Sequence, residues 1–561
     1  MKKIPLPSGL SLKEDGLYFE EDWVSSPITV LAHTRDDNKE NWGRLVEFYD
    51  LDQHLHKLTI PFDMFARDCS ELFSILLSQG LRISNKRGLR NKLADYLQNT
   101  PLSKKVLCVP RIGWHKGSFI LPDGSIPESD EVYLQSSTSN FTGFREAGTL
   151  EEWQEHVAKP CRGNSRLIFS LGCAFAAPLL PLINAESGGF HLKGSSSIGK
   201  STALAVAASV WGSPQYIQQW RATGNAIESV AESHNNALLC LDELGQVDGK
   251  EAGETSYMLA NESGKNRMKA KGGLRRKPMW KLLFLSTGEI SLADKMNESG
   301  KRVNAGMLAR MADVQADAGK DHRLFDTLNG FEDGAALANH LKQATGLYYG
   351  TPIRAFLLHV SKHKDALSTS WATFKKDFVE RHVDPKSDGQ VKRVADRFAL
   401  VAYGTELAIQ FGVLPYEEGE ATQAGATCFL SFVEARGGSS SHEADEAVKQ
   451  VQAFIEMHHS SRFALIGGTP ENLIEEKIYK QVGYRRKRDG GAYEFLFFTG
   501  AFNEEVCKGF DPLFVKKTLL KQGRLRVDSD GRYTKTTRLP HLKKNVKMIC
   551  ISSDILTEEA G

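Results

Sequence analysis

Apolar and polar positions alternate in short segments through the first part of the chain, with turn residues between them. Leu17-Tyr18-Phe19, Ile28–Ala32, Gly43–Phe48 and Ser118–Leu121 have the pattern of short strands, the last stopped by Pro122-Asp123-Gly124. Asp68–Gln79 and Arg90–Gln98 instead repeat their apolar residues at helical spacing. This predicts a small α+β domain over residues 1–148. Leu167–Ile183 is the longest apolar stretch, but Ser170, Gly172, Pro178 and Pro181 break it. It predicts a buried helix and no membrane span. Over residues 149–345 strand-like runs alternate with helical patterns, as in an open α/β sheet. Residues 346–460 predict a mostly helical region. In the last part, residues 461–561, Asn472–Lys480 and Pro512–Gln522 predict helices. Tyr493–Phe498 and Val546–Ile551 predict strands there, while Leu525–Val527 and Arg532–Thr534 flank a turn at Asp530-Gly531. Helices followed by a basic two-stranded wing read as a winged-helix-like domain, serving either DNA binding or subunit contacts. Arg485, Arg486, Lys487 and Arg488 are its candidate nucleic-acid contacts.

Candidate chemistry concentrates in the α/β part. Strand-like Gly189–Lys193 runs into Gly194-Ser195-Ser196-Ser197-Ile198-Gly199-Lys200-Ser201-Thr202, a complete G-x-x-x-x-G-K-[ST] loop, and Ala203–Ala208 continues as a helix former. A triphosphate is drawn to the N–H groups and positive dipole end of such a turn. ATP is therefore the expected ligand. Lys200 would reach the β and γ phosphates, and the Ser201 hydroxyl would complete a Mg²⁺ shell. Further along, the apolar run Ala237–Leu241 ends in Asp242-Glu243, a Walker B pattern. Asp242 would hold Mg²⁺ through water, and Glu243 would polarise the attacking water. After the apolar run Trp280–Leu285 come Ser286, Thr287 and Glu289. In ATPases of the AAA+ type a polar side chain at the end of such a strand contacts the γ phosphate or the water. Thr287 is the candidate for that sensor and Ser286 the second; a turn cap is the alternative.

Charge changes the picture locally, not globally. The formal net charge is only +2, so affinity for nucleic acid has to come from patches. Lys265, Arg267, Lys269, Lys271, Arg275, Arg276, Lys277 and Lys281 lie in a stretch free of acids, with Gly272-Gly273 at its centre. This predicts a hairpin whose tip presents cations, with Lys269, Lys271, Arg275 and Arg276 as candidate DNA contacts; a solvated charge run is the alternative. Arg310 is the candidate arginine finger donated by a neighbouring subunit, with Arg302 as runner-up. Arg393 and Arg397 share one helical face and suit a lid with a second nucleotide-sensing arginine, or a salt-bridged surface. The eight cysteines contain no C-x-x-C pair, which predicts free thiols in a reducing cytoplasm and no structural zinc. His54 and His56 point to one side of a strand with no third ligand nearby.

Several strings taken together resemble one family. Asn41–Glu47, Gly113-Trp114-His115, Pro178-Leu179-Leu180, Gly188–Leu192, Ala208–Gly212, Leu241–Gly245 and Leu285–Glu289 are similar, in order and spacing, to the bacterial family called domain of unknown function 927. One departure is at Ala260–Lys265, where no glycine follows Asn261. The resemblance implies a prophage or mobile-element protein whose AAA+ P-loop ATPase core is like that of self-loading replicative helicases, and hence a homo-hexameric ring. The expected fold is α/β, with that core between an N-terminal α+β domain and a helical region, then the winged-helix-like domain. The expected activity is that of an ATP-dependent DNA translocase or helicase, with ATP hydrolysis coupled to unwinding of, or translocation on, single-stranded or forked DNA. The rival expectation is an ATP-switched replication initiator or loader that binds DNA without unwinding it.

Overall fold

In the computed structural model, residues 6–66, 68–135, 143–266, 277–299, 305–436, 442–466, 478–488, 491, 493–528, 532–539 and 544–556 are described. The chain separates into two units, Met1–Pro385 with Lys392–Ala435, and Arg436–Gly561 with Lys386–Val391.

The first unit begins with an antiparallel meander of β1 (Leu10–Lys13), β2 (Gly16–Phe19) and β3 (Asp22–Ser25). It continues through β4 (Ile28–Arg35), β5 (Gly43–Tyr49) and β6 (Leu55–Pro61), whose hairpins set an antiparallel register. Burial in β4 alternates residue by residue, as the period of two requires. Helices Ser70–Ser78 and Arg87–Asn99 turn Leu72, Leu76, Leu93 and Leu97 onto that sheet, closing a core with Val30, Val46 and Phe48. Next come β7 (Lys105–Val109), β8 (Gly113–His115), β9 (Ser118–Leu121), β10 (Gly124–Ile126) and β11 (Val132–Leu134). β7 and β11 complete a five-stranded sheet in the order β11-β7-β4-β5-β6, and β8, β9 and β10 form a separate antiparallel sheet. Gly113 has φ +113°, and a Cβ there would meet the Asn236 side chain at 2.4 Å. That close approach lets Asn236 Oδ1 accept from Trp114 N–H at 3.2 Å and Asn235 donate to the Ile112 carbonyl at 2.8 Å.

The apolar run from Leu167 forms the helix Ser165–Ala176, buried at every residue. Phe169 packs against Phe190 and Phe398, so this helix lies between the central sheet and the helical region. That sheet contains β12 (Gly188–Lys193), β13 (Gln218–Gln219), β14 (Leu238–Asp242), β15 (Leu283–Gly288) and β16 (Met311–Gln315). All pairs are parallel, in the order β13-β14-β15-β12-β16. β15 therefore stands between the two strands that lead into the glycine-rich loop and the acidic pair. It begins at Leu283, so Trp280 and Leu282 are buried outside the strand while Ser286, Thr287 and Gly288 fall within it. Beyond β16 the chain is helical: Gly334–Leu347, Thr351–His382, Gly389–Gln410 and Glu420–Ala435. Among the described residues no helix is long and apolar enough to cross a membrane.

The second unit is built on a larger sheet than the two-stranded wing expected from the sequence. β17 (Phe463–Ile466), β18 (Gly483–Lys487), β19 (Tyr493–Phe498), β20 (Leu525–Arg526), β21 (Lys535–Leu539) and β22 (Lys544–Ser552) join in one mixed sheet. Helices His442–His458 and Pro512–Lys521 bury Val451, Ile455, Val515 and Leu519 against it. Asp511 caps the latter, accepting from Leu513 and Phe514 N–H at 3.3 and 3.2 Å. Of the expected helix Asn472–Lys480 only Ile478–Lys480 are described, and they form no helix. The strand expected at Arg532–Thr534 instead starts at Lys535, and it pairs with β22 rather than β20.

Candidate nucleotide site

β12 ends at Lys193, and the loop that follows turns into helix Lys200–Trp211. The turn needs left-handed backbone at two places. Gly199 has φ +113° at the N-cap, a conformation glycine takes without strain, and Ser197 has φ +59°. Gly194 N–H donates to the Gly288 carbonyl at 3.2 Å, tying the loop to β15. The Lys200 ammonium, almost buried, donates to the carbonyls of Gly194 and Ser195 at 2.8 and 2.7 Å, so its tip lies inside the curve of the loop. Burial lowers its pKa, while Glu289, Glu243 and Asp242 act in the opposite direction.

The acidic pair faces the same space. Thr287 Oγ1 donates to Asp242 Oδ1 and accepts from Glu243 N–H at 3.3 Å, so one hydroxyl holds both residues. Glu243 has φ +63°, which turns the chain sharply after the strand. Ser286 points elsewhere: its Oγ bonds His191 Nδ1 at 2.9 Å and accepts from Trp220 Nε1 at 2.8 Å in the core. Burial pushes the His191 imidazole down to about 4, so it is neutral. Between the two candidate sensors, the hydroxyl in the site is that of Thr287.

Ser196–Thr202, Asp242, Glu243 and Glu289 line one side of a cavity of about 550 Å³. Its far wall comes from residues that sequence reasoning passed over: Asp321, His322, Arg323, Phe325, Asn339 and Lys342. Arg323 donates to the Ser197 carbonyl at 2.9 Å. A signal for them existed in Asp317-Ala318-Gly319-Lys320-Asp321, a polar loop at the C-terminal end of a sheet strand, where open α/β folds bind ligands. The donors fit a Mg²⁺–triphosphate: Ser201 supplies a hydroxyl, Asp242 a carboxylate, and Lys200, Arg323 and Lys342 positive charge.

The other candidate cations lie apart from this cavity. Arg310, Arg393 and Arg397 line a second cleft, of about 530 Å³, together with Glu186, Glu262 and Lys281. It sits at the opposite end of the sheet, because Gly189 at the start of β12 donates to the Arg310 carbonyl at 2.8 Å. A strand the length of β12 separates its ends by roughly 17 Å. Arg393 and Arg397 therefore do not reach the nucleotide cavity of their own subunit. Arg397 is buried, with Nη1 donating to the Ala309 carbonyl at 3.1 Å, and burial pulls its pKa down to about 10.

Lys269, Lys271, Arg275 and Arg276 lie outside the described residues, as does Arg302. The flanks of that basic segment are paired: Ser263 bridges Met279, and Gly264 N–H donates to the Pro278 carbonyl at 3.0 Å. In the second unit, Lys487 is exposed and Arg485 lies over the Tyr493 ring at 5.6 Å. Arg486 and Arg488 are engaged instead by Glu494, which is 2 % exposed and paired at 2.5 and 2.6 Å. Burial disfavours the Glu494 carboxylate, yet Arg488, Cys550 and Arg486 outweigh it and hold the group down to about 2. A folded pKa below the ordinary 4.5 stabilises fully above that value and loses its effect as pH falls toward 2. Glu494→Gln is thus expected to cost on the order of 2 kcal/mol at pH 7. Thermal denaturation should show the deficit shrinking between about pH 4.5 and pH 2.

Among the described residues no group of three or more His, Cys, Asp or Glu could hold a metal ion; His56 Nε2 instead bonds Asp50 Oδ2 at 2.9 Å.

The molecule is thus a mixed α/β protein, and its fold is shared with a solved structure described as "SCCmec type IV Cch - active helicase". The two match with a TM-score of 0.70 at 18% identity, over 98% of this chain and 99% of that one. The family model described as "Domain of unknown function (DUF927)" matches residues 8–280, the family that the sequence resemblance implied. No curated protein matches the chain.

Proposed function

We propose that the chain is an ATP-dependent DNA translocase or helicase of a mobile element, with an AAA+ core that hydrolyses ATP between subunits of a ring. The observation that carries this reading is the separation of its parts. A complete phosphate loop with an acidic pair lies at one end of the sheet, and three arginines lie at the other. An arginine there serves phosphoryl transfer only if a neighbouring subunit presents its nucleotide to it. The placement of β15 between the strands of the two Walker elements supports an AAA+ core, because it brings Thr287 to the acidic pair.

In this reading the loop N–H groups and Lys200 cradle the β and γ phosphates. Ser201 and Asp242 would hold Mg²⁺, which supplies charge neutralisation between the phosphates when bound. Glu243 takes the proton of the attacking water, and Thr287 fixes both Glu243 and Asp242 in place. Arg310 neutralises charge developing on the γ phosphate across the interface, Arg393 serves the same neighbouring nucleotide, and Arg397 holds the backbone before Arg310. The segment carrying Lys269, Lys271, Arg275 and Arg276 grips the DNA backbone, and the C-terminal unit, through Arg485 and Lys487, contacts DNA or an adjacent subunit. The neighbour described as an active helicase supports unwinding over loading.

Strand displacement on forked DNA by the full chain with ATP and Mg²⁺ tests the proposal. ATP-dependent release of the displaced strand is expected. Nucleotide-dependent binding to the same fork without release would instead establish an initiator or loader.

A further inference from the structure

Arg310 is held from several sides. Its guanidinium lies over the Tyr257 ring, with Cζ 4.5 Å from the centroid, while Nη1 donates to the Gly306 carbonyl at 2.7 Å. The main chain is pinned as well, by Gly189 N–H on the Arg310 carbonyl and Arg397 Nη1 on the Ala309 carbonyl. The backbone is thereby fixed, but a long side chain on a fixed backbone still has several rotamers. Two contacts select among them, and the larger is an aromatic face.

Tyr257 belongs to helix Gly249–Ala260, whose inward residues Ala252, Thr255, Ser256 and Leu259 are buried. Tyr257 itself is 45 % exposed, so packing into the core does not explain a large ring at this position. A π face attracts a guanidinium without using its N–H groups. Apart from the one given to the Gly306 carbonyl, those groups stay available for a phosphate, whose oxygens they would meet in a planar fork. The helix also starts close to the acidic pair. Glu243 leads through the turn Leu244–Gln246 to Asp248, which caps the helix by accepting from Lys250 N–H at 2.9 Å. One continuous segment thus runs from the carboxylates of the nucleotide cavity to the ring beneath the arginine at the far end of the sheet.

We infer that Tyr257 is a positioning residue for Arg310, aiming the guanidinium that one subunit presents to the next subunit's nucleotide. The inference rests on the reading of Arg310 as an intersubunit finger. Tyr257 acts only through that arginine, so its effect must appear on the subunit that donates the finger and vanish on a subunit that has none.

Mixed rings read this out. A Glu243→Gln chain keeps its finger but does not hydrolyse ATP, and an Arg310→Ala chain keeps its cavity but has no finger. Neither turns over alone; mixed, they should regain ATPase at interfaces where an intact cavity meets an intact finger. Adding Tyr257→Leu to the Glu243→Gln chain is expected to lower the regained rate by about tenfold. Adding it to the Arg310→Ala chain should leave that rate unchanged, and Tyr257→Phe on the donating chain should restore it. No recovery in the unmodified mixture would remove the finger reading itself. Recovery insensitive to Tyr257→Leu on the donor, or equally impaired from either chain, would overturn the role of Tyr257.

Discussion

Glu243→Gln is expected to lower the ATPase kcat by about 10²–10⁴-fold while KM for ATP stays within about twofold of wild type. The size of the loss follows from what an amide cannot do. Gln fills the same space but takes no proton from water, and a positioned general base contributes over that range. Binding is spared because the groups proposed to grip the triphosphate are elsewhere. Lys200 approaches the loop from its own helix, Ser201 follows it, and Asp242 keeps its bond to Thr287. The backbone N–H of residue 243, which donates to Thr287, is unaffected by the substitution. Lys200→Ala is the informative contrast. It removes a cation facing Glu289, Glu243 and Asp242, so nucleotide affinity and turnover should fall together. Phosphate release measured beside equilibrium nucleotide binding separates the two variants. Tight binding with normal turnover in Glu243→Gln would remove the residue from the role of base.

Much of this site was readable because its geometry is local. The glycine-lysine turn, the strand before it and the helix after it are dictated by neighbouring residues, and Gly199 at φ +113° is where only a glycine is at ease. Asp242 and Glu243 end an apolar strand by the same local logic. What stayed hidden depends on partners far away in the chain. Ser286 and Thr287 are adjacent and chemically alike, and only Trp220 and His191 on other elements decide that Ser286 is consumed in the core. Arg323 and Lys342 join the cavity from beyond the last strand of the sheet, signalled only by the polar loop that follows it. Arg393 and Arg397 have the spacing of an exposed face, yet Arg397 is drawn under the backbone before β16. In the second unit Arg486 and Arg488 read as free cations until β19 brings Glu494 opposite them. The sheet there outgrew a two-stranded wing because β17 and β22, at the two ends of the unit, pair into it.

Arg310→Ala carries the other large expected effect, a loss of roughly 10³-fold or more in kcat with little change in nucleotide affinity. A guanidinium that stabilises charge present only in the transition state lowers the barrier without tightening the ground-state complex. The structure makes the affinity half of this expectation stringent. Arg310 immediately precedes β16 and its carbonyl accepts from Gly189 N–H near the start of β12, whereas the phosphate loop leaves the last residue of β12. At about 3.3 Å per residue the strand keeps the two apart by several times the reach of a hydrogen bond. An effect on turnover therefore has to arrive from a neighbour, and it should depend on protein concentration as assembly does. Lysine at this position should recover only a small part of the rate. It retains a point charge but loses the planar fork and most of the stacking on Tyr257. Steady-state ATPase across a dilution series, with nucleotide binding measured in parallel, checks each step. A variant that loses affinity as much as turnover, or whose defect is the same in dilute monomer and in assembled ring, would place Arg310 in a structural role instead.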